Sequence, residues 1–289
     1  MPRDRILNFY ISARKREMAA AGMGIHGLVA QAVQVEGWEV RLHDKADPAI
    51  GPGYHLIDNL AVLAPHCLVL RLCHMEPFYR IEATNDRWNW EVVGQEFVPR
   101  PGAEWFLKYW QGRLFKDLPI KAGGYIFMPL QGKLTERRHF QAMSPIEMIA
   151  ATLQADPDRQ VRATLHPKES YGPEELAALQ QFGGRFDVVD QPSMPLLAGC
   201  DYVVTQNSAM AFSGYFARKP AVLFAEIDFH HIAGSVPKLG VARAFRVANR
   251  PQPFASYLHW FLRDQAISAG SDDCATKIVA RLRSHGWPI

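Results

Sequence analysis

Several short stretches of this chain hold residue types that could manage a phosphate or a proton. His166-Pro167-Lys168 follows the β-rich run 162–165. An imidazole and an ammonium at that point can meet a phosphate or a nucleotide, and Pro167 stiffens the turn. The plainer reading is a surface turn with a hydrogen-bonded histidine. Gln206-Asn207-Ser208 precedes a helical run that starts with small residues, Ala209 and Ala211. Unpaired amides at such a helix start, with hydroxyl and amide side chains beside them, suit an anion. Asn207 or Ser208 could equally serve as a helix cap, and one residue can do both. Pro129-Leu130-Gln131 and the segment Ala225 to His231 also follow strand-like runs. His26 lies in Gly22-Met23-Gly24-Ile25-His26-Gly27 and could take a proton from an acceptor hydroxyl. A histidine that only shapes a helix start is the alternative. That turn lacks the third glycine of a dinucleotide fingerprint, which disfavours NAD or FAD.

Two further sets point away from chemistry. His66, Cys67, Cys73 and His74 resemble a zinc set on paper. In a strand, His66 and His74 would stand about 26 Å apart at 3.3 Å per residue, so no shared metal is expected. Residues 103–116 carry Trp105, Phe106, Tyr109, Trp110 and Phe115 together with Lys108, Arg113 and Lys116. Aromatic packing accounts for such a helix more simply than peripheral association with an anionic membrane, which stays open. Arg14-Lys15-Arg16 reads as a solvated basic turn.

The elements needed to position these residues alternate in the manner of parallel βαβ units. Strands are expected at 6–11, 38–42 and 67–72, with a helix over 25–36; the region 78–98 has no clear assignment. A second round has strands at 125–128, 162–165, 186–189, 201–205 and 221–224, with helices between them. Ser144-Pro145-Ile146-Glu147 is a capping box. Two helical runs, 255–267 and 272–284, end the sequence. The expected fold class is α/β: two Rossmann-like domains facing a central cleft, one over 1–120 and one over 121–255, with closing helices over 256–289. Such sheets bind ligands beyond the carboxyl ends of their strands, where the loops above lie.

Composition narrows the function classes. The 289 residues are 48% hydrophobic with a net charge of +3, too little to expect a nucleic-acid partner. Four cysteines without a CxxC suit a reducing compartment. The apolar run at 6–11 is short for a secretory segment, and 60–72 is short for a membrane span. The expected location is cytoplasmic, extending to the inner face of the membrane.

Met128-Pro129-Leu130-Gln131, Ser144 to Glu147, Leu165-His166-Pro167-Lys168 and Val203 to Pro220 follow one another in an order and spacing that resemble the bacterial capsule polysaccharide synthesis and export family. Its best-understood members are Kdo transferases with a two-Rossmann, GT-B-type glycosyltransferase architecture. The resemblance covers about residues 125 to 225. It implies a CMP-activated sugar donor, with His166 and Lys168 near the nucleotide phosphate and Asn207 and Ser208 at the helix that receives it. One departure stands out: Ser213 occupies the place where the family usually carries a glutamate able to hold the ribose hydroxyls. The resemblance supplies no catalytic base.

The expected activity is an inverting, metal-independent glycosyltransferase moving a sugar from a nucleotide donor to a cell-surface polysaccharide or glycolipid. The nucleotide-sugar is a substrate, and no cofactor is expected. His26 is the candidate base. Gln131, His166, Pro167, Lys168, Gln206, Asn207 and Ser208 are the candidate donor site. Two alternatives remain at this level: a nucleotide-sugar epimerase, and a non-catalytic homologue that binds a glycan or a partner enzyme.

Overall fold

The computed structural model describes residues 5–289 except 47, 49 and 63. The reading of the first residues as too short for a secretory segment touches 1–4, and the apolar run 60–72 includes 63; those positions lie outside the described residues. In chain order the elements begin with β1 (Ile6–Ile11), α1 (Ala13–Ala20), α2 (Gly24–Val35), β2 (Glu39–Asp44), β3 (Tyr54–Asp58), β4 (Cys67–Leu72) and β5 (Phe78–Glu82). Next come α3 (Glu104–Phe115), β6 (Tyr125–Pro129), α4 (Pro145–Ala155), β7 (Gln160–Thr164), α5 (Pro173–Gln180), β8 (Phe186–Val188), α6 (Ser193–Gly199), β9 (Tyr202–Thr205), α7 (Ala209–Phe216) and β10 (Ala221–Leu223). The chain ends with β11 (Gly234–Ser235), α8 (Val236–Leu239), α9 (Val241–Ala248), α10 (Phe254–His259), β12 (Ile267–Ser268) and α11 (Cys274–Ser284).

These elements form two compact units, residues 1–94 with 261–289, and residues 95–260. The first holds a six-stranded sheet in the order β12-β5-β4-β3-β1-β2. Its middle strands β4, β3, β1 and β2 run parallel, while β5 and β12 are antiparallel to their neighbours. β1 is an unbroken buried run, as a strand covered on both faces should be. Leu7, Phe9 and Ile11 point into one core with Val29 and Val33 of α2 and Ile278 and Leu282 of α11. Burying each such side chain contributes about 1.5–3 kcal/mol. This packing returns α11 to the first unit, whereas the sequence groups it with a closing segment after residue 255.

The second unit holds an all-parallel sheet in the order β11-β10-β9-β6-β7-β8. Its start lies at Gln95 rather than near residue 120, because α3 packs on α7 and α10 and buries Phe106 and Phe115. That packing accounts for one face of the aromatic helix; Trp105 and Tyr109 stay exposed. The capping box forms as expected: the Glu147 amide donates to Ser144 Oγ at 3.3 Å, and the Ser144 amide donates to Glu147 Oε2 at 2.7 Å. Among the described residues no single helix is long and apolar enough to cross a membrane.

Candidate functional site

The sequence places Gly22 to Gly27 as a turn joining the strand 6–11 to the helix 25–36; the structure makes it a corner between α1 and α2, because residues 13–20 form a helix of their own. Gly22 and Gly24 take positive φ of 70° and 61°. A Cβ on Gly27 would stand 2.2 Å from the Gly22 carbonyl carbon, so only glycine lets the two helices turn this tightly. The corner sets His26 in the first turn of α2, buried, with its ring stacked on Phe9 at 5.8 Å.

There His26 Nε2 meets Asp58 Oδ1 at 3.3 Å. Asp58 is the last residue of β3, so the expected third strand, 67–72, is the fourth in chain order. The other carboxylate oxygen accepts from Lys15 Nζ at 2.7 Å and lies 3.4 Å from Lys45 Nζ. Burial alone would raise the Asp58 pKa, but the hydrogen bonds from His26 and Lys15 outweigh it and lower the carboxyl to about 2. An ionised Asp58 orients the imidazole: Nε2–H donates to it, and the lone pair then resides on Nδ1. Arg14-Lys15-Arg16 is correspondingly no turn. It lies in α1, with Lys15 on Asp58 and Arg16 on Asp44 at 2.9 Å.

His26 and Asp58 line a cavity of about 740 Å³ within the first unit, together with Arg14, Lys15, Arg71 and Arg87. Arg71 ends β4 and donates to the Asn85 side chain at 3.1 Å; Arg87 donates to the Leu72 carbonyl at 2.7 Å and stacks 4.7 Å over Trp90. These contacts fix both guanidinium groups in place. Tyr79 on the same wall donates to Glu76 at 2.5 Å, and burial, then Glu76, raises its pKa. The cavity therefore joins a buried imidazole–carboxylate pair to a rim rich in cations.

In the second unit the sequence-derived residues stand at the carboxyl edge of the sheet. Pro129 pairs with Thr164 across β6 and β7, and Thr205 Oγ1 donates to the Pro129 carbonyl at 2.8 Å, so β6, β7 and β9 end side by side. Gln206 follows β9 directly, and a single residue separates Gln131 from the end of β6 and His166 from the end of β7. The Lys168 amide donates to His166 Nδ1 at 3.2 Å, which places the proton of a neutral imidazole on Nε2 as a donor. The His166 amide donates to Tyr171 Oη at 2.8 Å. Gly132 comes so near Glu169 that a Cβ would lie 2.4 Å from its carboxylate, so the loops after β6 and β7 interlock. Ser208 caps α7, its Oγ accepting from the Met210 amide at 3.3 Å. Asn207 Nδ2 donates to the Glu226 carbonyl at 3.4 Å, and Gln206 Nε2 to the Met143 carbonyl at 3.0 Å. Beyond β10, the His230 ring stacks on His231 at 4.3 Å and accepts from Lys238 Nζ; burial lowers the pKa of both His230 and Lys238.

His66 and His74 flank the two ends of β4, as the strand argument requires, and all four cysteines are buried free thiols. Glu82, Glu91 and His285 come near enough to share an ion, but Arg80 pairs with Glu82 at 2.6 Å and Arg281 pairs with both carboxylates. Cations already occupy that position.

No family profile matches the chain, and none of the curated proteins matches it in sequence. Solved structures do. The KpsC beta Kdo 2,7 transferase of Thermosulfurimonas dismutans matches with a TM-score of 0.52 at 12% identity, over 98% of this chain and 99% of that one. The KpsC beta Kdo 2,4 transferase of the same organism gives 0.43 at 12% identity, over 94% and 98%. A co-structure of S. aureus MnaA with UDP gives 0.38 at 10%, over 97% and 96%. At such identities a likeness speaks to fold alone. The chain has the α/β fold of GT-B type, with one Rossmann-like domain in each unit, its sheet parallel at the centre in the first and throughout in the second.

Proposed function

We propose that this protein is an inverting, metal-independent glycosyltransferase that moves a sugar from a nucleotide donor, with CMP as the favoured nucleotide, to a hydroxyl of a cell-surface polysaccharide or glycolipid. The observation that carries the reading is the buried His26–Asp58 pair opening on a cation-rimmed cavity. In this reading His26 Nδ1 takes the proton of the acceptor hydroxyl, and Asp58 holds the tautomer and steadies the imidazolium as it forms. Arg71 and Arg87 suit an acceptor that carries anionic groups.

The second unit binds the donor. As the glycosidic bond breaks, charge grows on the departing phosphate. The amides at the start of α7, the His166 Nε2–H and the Lys168 ammonium offset that charge, the task a divalent cation performs elsewhere. Gln131, Pro167, Gln206, Asn207 and Ser208 shape the same rim. Support for CMP comes from the sequence resemblance over residues 125–225.

Calorimetry with CMP, CDP and UDP, followed by a transfer assay over an acceptor panel, tests the proposal. CMP binding, turnover that needs acceptor, and loss of turnover in His26→Ala are expected. Absence of binding to all three nucleotides would overturn it, as would undiminished transfer by the double variant Ser208→Ala, His166→Ala. Conversion of a UDP-sugar without acceptor would instead identify an epimerase. Ser213, standing where an acidic residue would grip ribose, motivates one second reading: a non-catalytic nucleotide or glycan binder, selected by tight binding with no turnover on any acceptor.

A further inference from the structure

The loop joining β6 to α4 holds polar atoms that its own fold leaves unused. Arg138 Nε and Nη2 are both shielded from solvent and have no hydrogen-bond partner among the described residues, and the same holds for Gln141 Nε2, on a residue only 2% exposed. Nε and Nη2 form one edge of the guanidinium, the edge that meets a carboxylate or phosphate with two parallel hydrogen bonds. Native proteins seldom bury such donors without an acceptor, because the water they lose is not replaced.

The loop is not slack. The Arg138 amide donates to Gln141 Oε1 at 2.7 Å, which fixes the orientation of the Gln141 side chain and turns its Nε2 away from that contact. The Gln141 amide donates back to the Arg138 carbonyl at 2.9 Å, and Arg137 Nε donates to the Gln141 carbonyl at 3.1 Å. Arg138 also lies over the Phe140 ring at 5.1 Å. The whole loop is stitched to the chain leaving β10: Gln141 bridges Ala225, the Ala142 amide donates to the Phe224 carbonyl, and the Glu226 amide to the Phe140 carbonyl. That segment follows the strand next to β9, so the unused donors belong to the same carboxyl edge as Asn207 and Ser208. Two unpaired buried acceptors, Gln131 Oε1 and Gln206 Oε1, stand on that edge as well.

We propose that Arg138, through its Nε/Nη2 edge, and Gln141, through Nε2, form an oxyanion subsite of the second unit that receives an acidic group of the donor. The chemistry is that of a forked oxyanion, which either the donor's phosphate or a carboxylate on its sugar supplies. The identity of that ligand as a donor rests on the function proposed above; the oxyanion specificity rests on the loop alone. The subsite explains why a rigid loop keeps three buried donors without partners: the ligand supplies the acceptors.

The test compares wild type with Arg138→Lys, which keeps the charge and loses the fork, and with Gln141→Leu. Probes are CMP, CMP-N-acetylneuraminate, inorganic phosphate and pyruvate, read by calorimetry and by thermal shift. Phosphate or pyruvate in excess is expected to raise the wild-type Tm by about 2 °C or more, and Arg138→Lys to lose most of that rise. A tenfold loss of CMP affinity in Arg138→Lys identifies phosphate as the occupant. Unchanged CMP affinity, with a tenfold loss for CMP-N-acetylneuraminate and lost protection by pyruvate, identifies a carboxylate. If wild type binds no nucleotide, the donor reading falls, while phosphate or pyruvate protection that vanishes in Arg138→Lys still upholds the subsite. The proposal is overturned if both variants bind every probe within twofold of wild type, or if no probe binds wild type at all.

Discussion

The cavity around His26 in the first unit and the strand-end rim of the second hold their polar groups in opposite states. Around His26 and Asp58 the charges are already matched: the carboxylate holds an imidazole and two ammonium groups. At the strand ends of the second unit, donors on Arg138 and Gln141 and acceptors on Gln131 and Gln206 are buried and unmatched. A completed network is set before any ligand arrives, which is what an acid–base group needs if its tautomer and orientation are to be ready. An incomplete one gains its missing partners on binding. The difference teaches how to tell the two roles apart by experiment: damage to the first network should show in the ligand-free protein, and damage to the second only when ligand is present.

The largest expected effect is on turnover. His26→Ala should lower kcat by roughly 10²–10⁴-fold, the usual worth of a positioned proton acceptor, with nucleotide affinity in calorimetry unchanged within about twofold. An equal loss of nucleotide affinity would place His26 with the binding groups and break the contrast.

Next comes Asp58→Asn, expected to cost about 100-fold in kcat through a misdirected imidazole. It should also cost about 2 kcal/mol of stability at neutral pH. The sign follows from the lowered carboxyl. Its pKa falls from the ordinary 3.8 to about 2, so the stabilisation is complete above pH 4 and is lost as pH falls through 2. Urea unfolding of wild type should show that acid limb between about pH 4 and 2, and the variant should lack it. An unchanged limb would mean that Asp58 is not the group holding the network.

Ser208→Ala sits on the border between the two behaviours, because Ser208 caps α7 and, in the proposed function, also lines the donor rim. The expected cost is about 1 kcal/mol in ligand-free stability from the lost cap. A further few-fold loss of nucleotide affinity, measured by calorimetry, would sharpen its assignment to the second network; a pure stability loss would leave it as a cap.

The smallest effect in the ligand-free protein belongs to Arg138→Met. Because Nε and Nη2 make no bonds there, the Tm should stay within about 2 °C of wild type or rise. A fall of 6 °C or more in differential scanning calorimetry would show that the guanidinium is a structural prop, and the contrast between the units would fail on that side.

How much of this could be read beforehand varies with the kind of signal. The capping box of α4 and the strand ends at Gln131, His166 and Gln206 are local: a cap needs neighbours three residues apart, and a strand end needs only the end of a hydrophobic run. β3 escaped because Tyr54-His-Leu-Ile-Asp58 is five residues with a histidine and an aspartate in it, framed by Gly51-Pro-Gly53 and Asn59, and it reads as loop. Its polar members are buried only because Tyr10 Oη meets His55 at 3.0 Å and because Lys15 and His26 meet Asp58. The basic trio 14–16 reads as a solvated turn for the same reason, since the partners of Lys15 and Arg16 in α1 lie 28 to 43 residues away.

Periodicity and near neighbours are enough to set the α/β alternation, the capping box of α4 and the strand-end positions of Gln131, His166 and Gln206; they show a glycine turn beside His26 but not the helix α1 that precedes it. Long-range packing sets the rest: Asp58 faces His26, α11 closes the first core, and Arg138 keeps a buried edge without a partner among the described residues. Those facts depend on the distance between residues far apart in the chain, and in the folded protein it is that distance, through burial and hydrogen bonding, that sets a side chain's charge state and its unmet demand for a ligand.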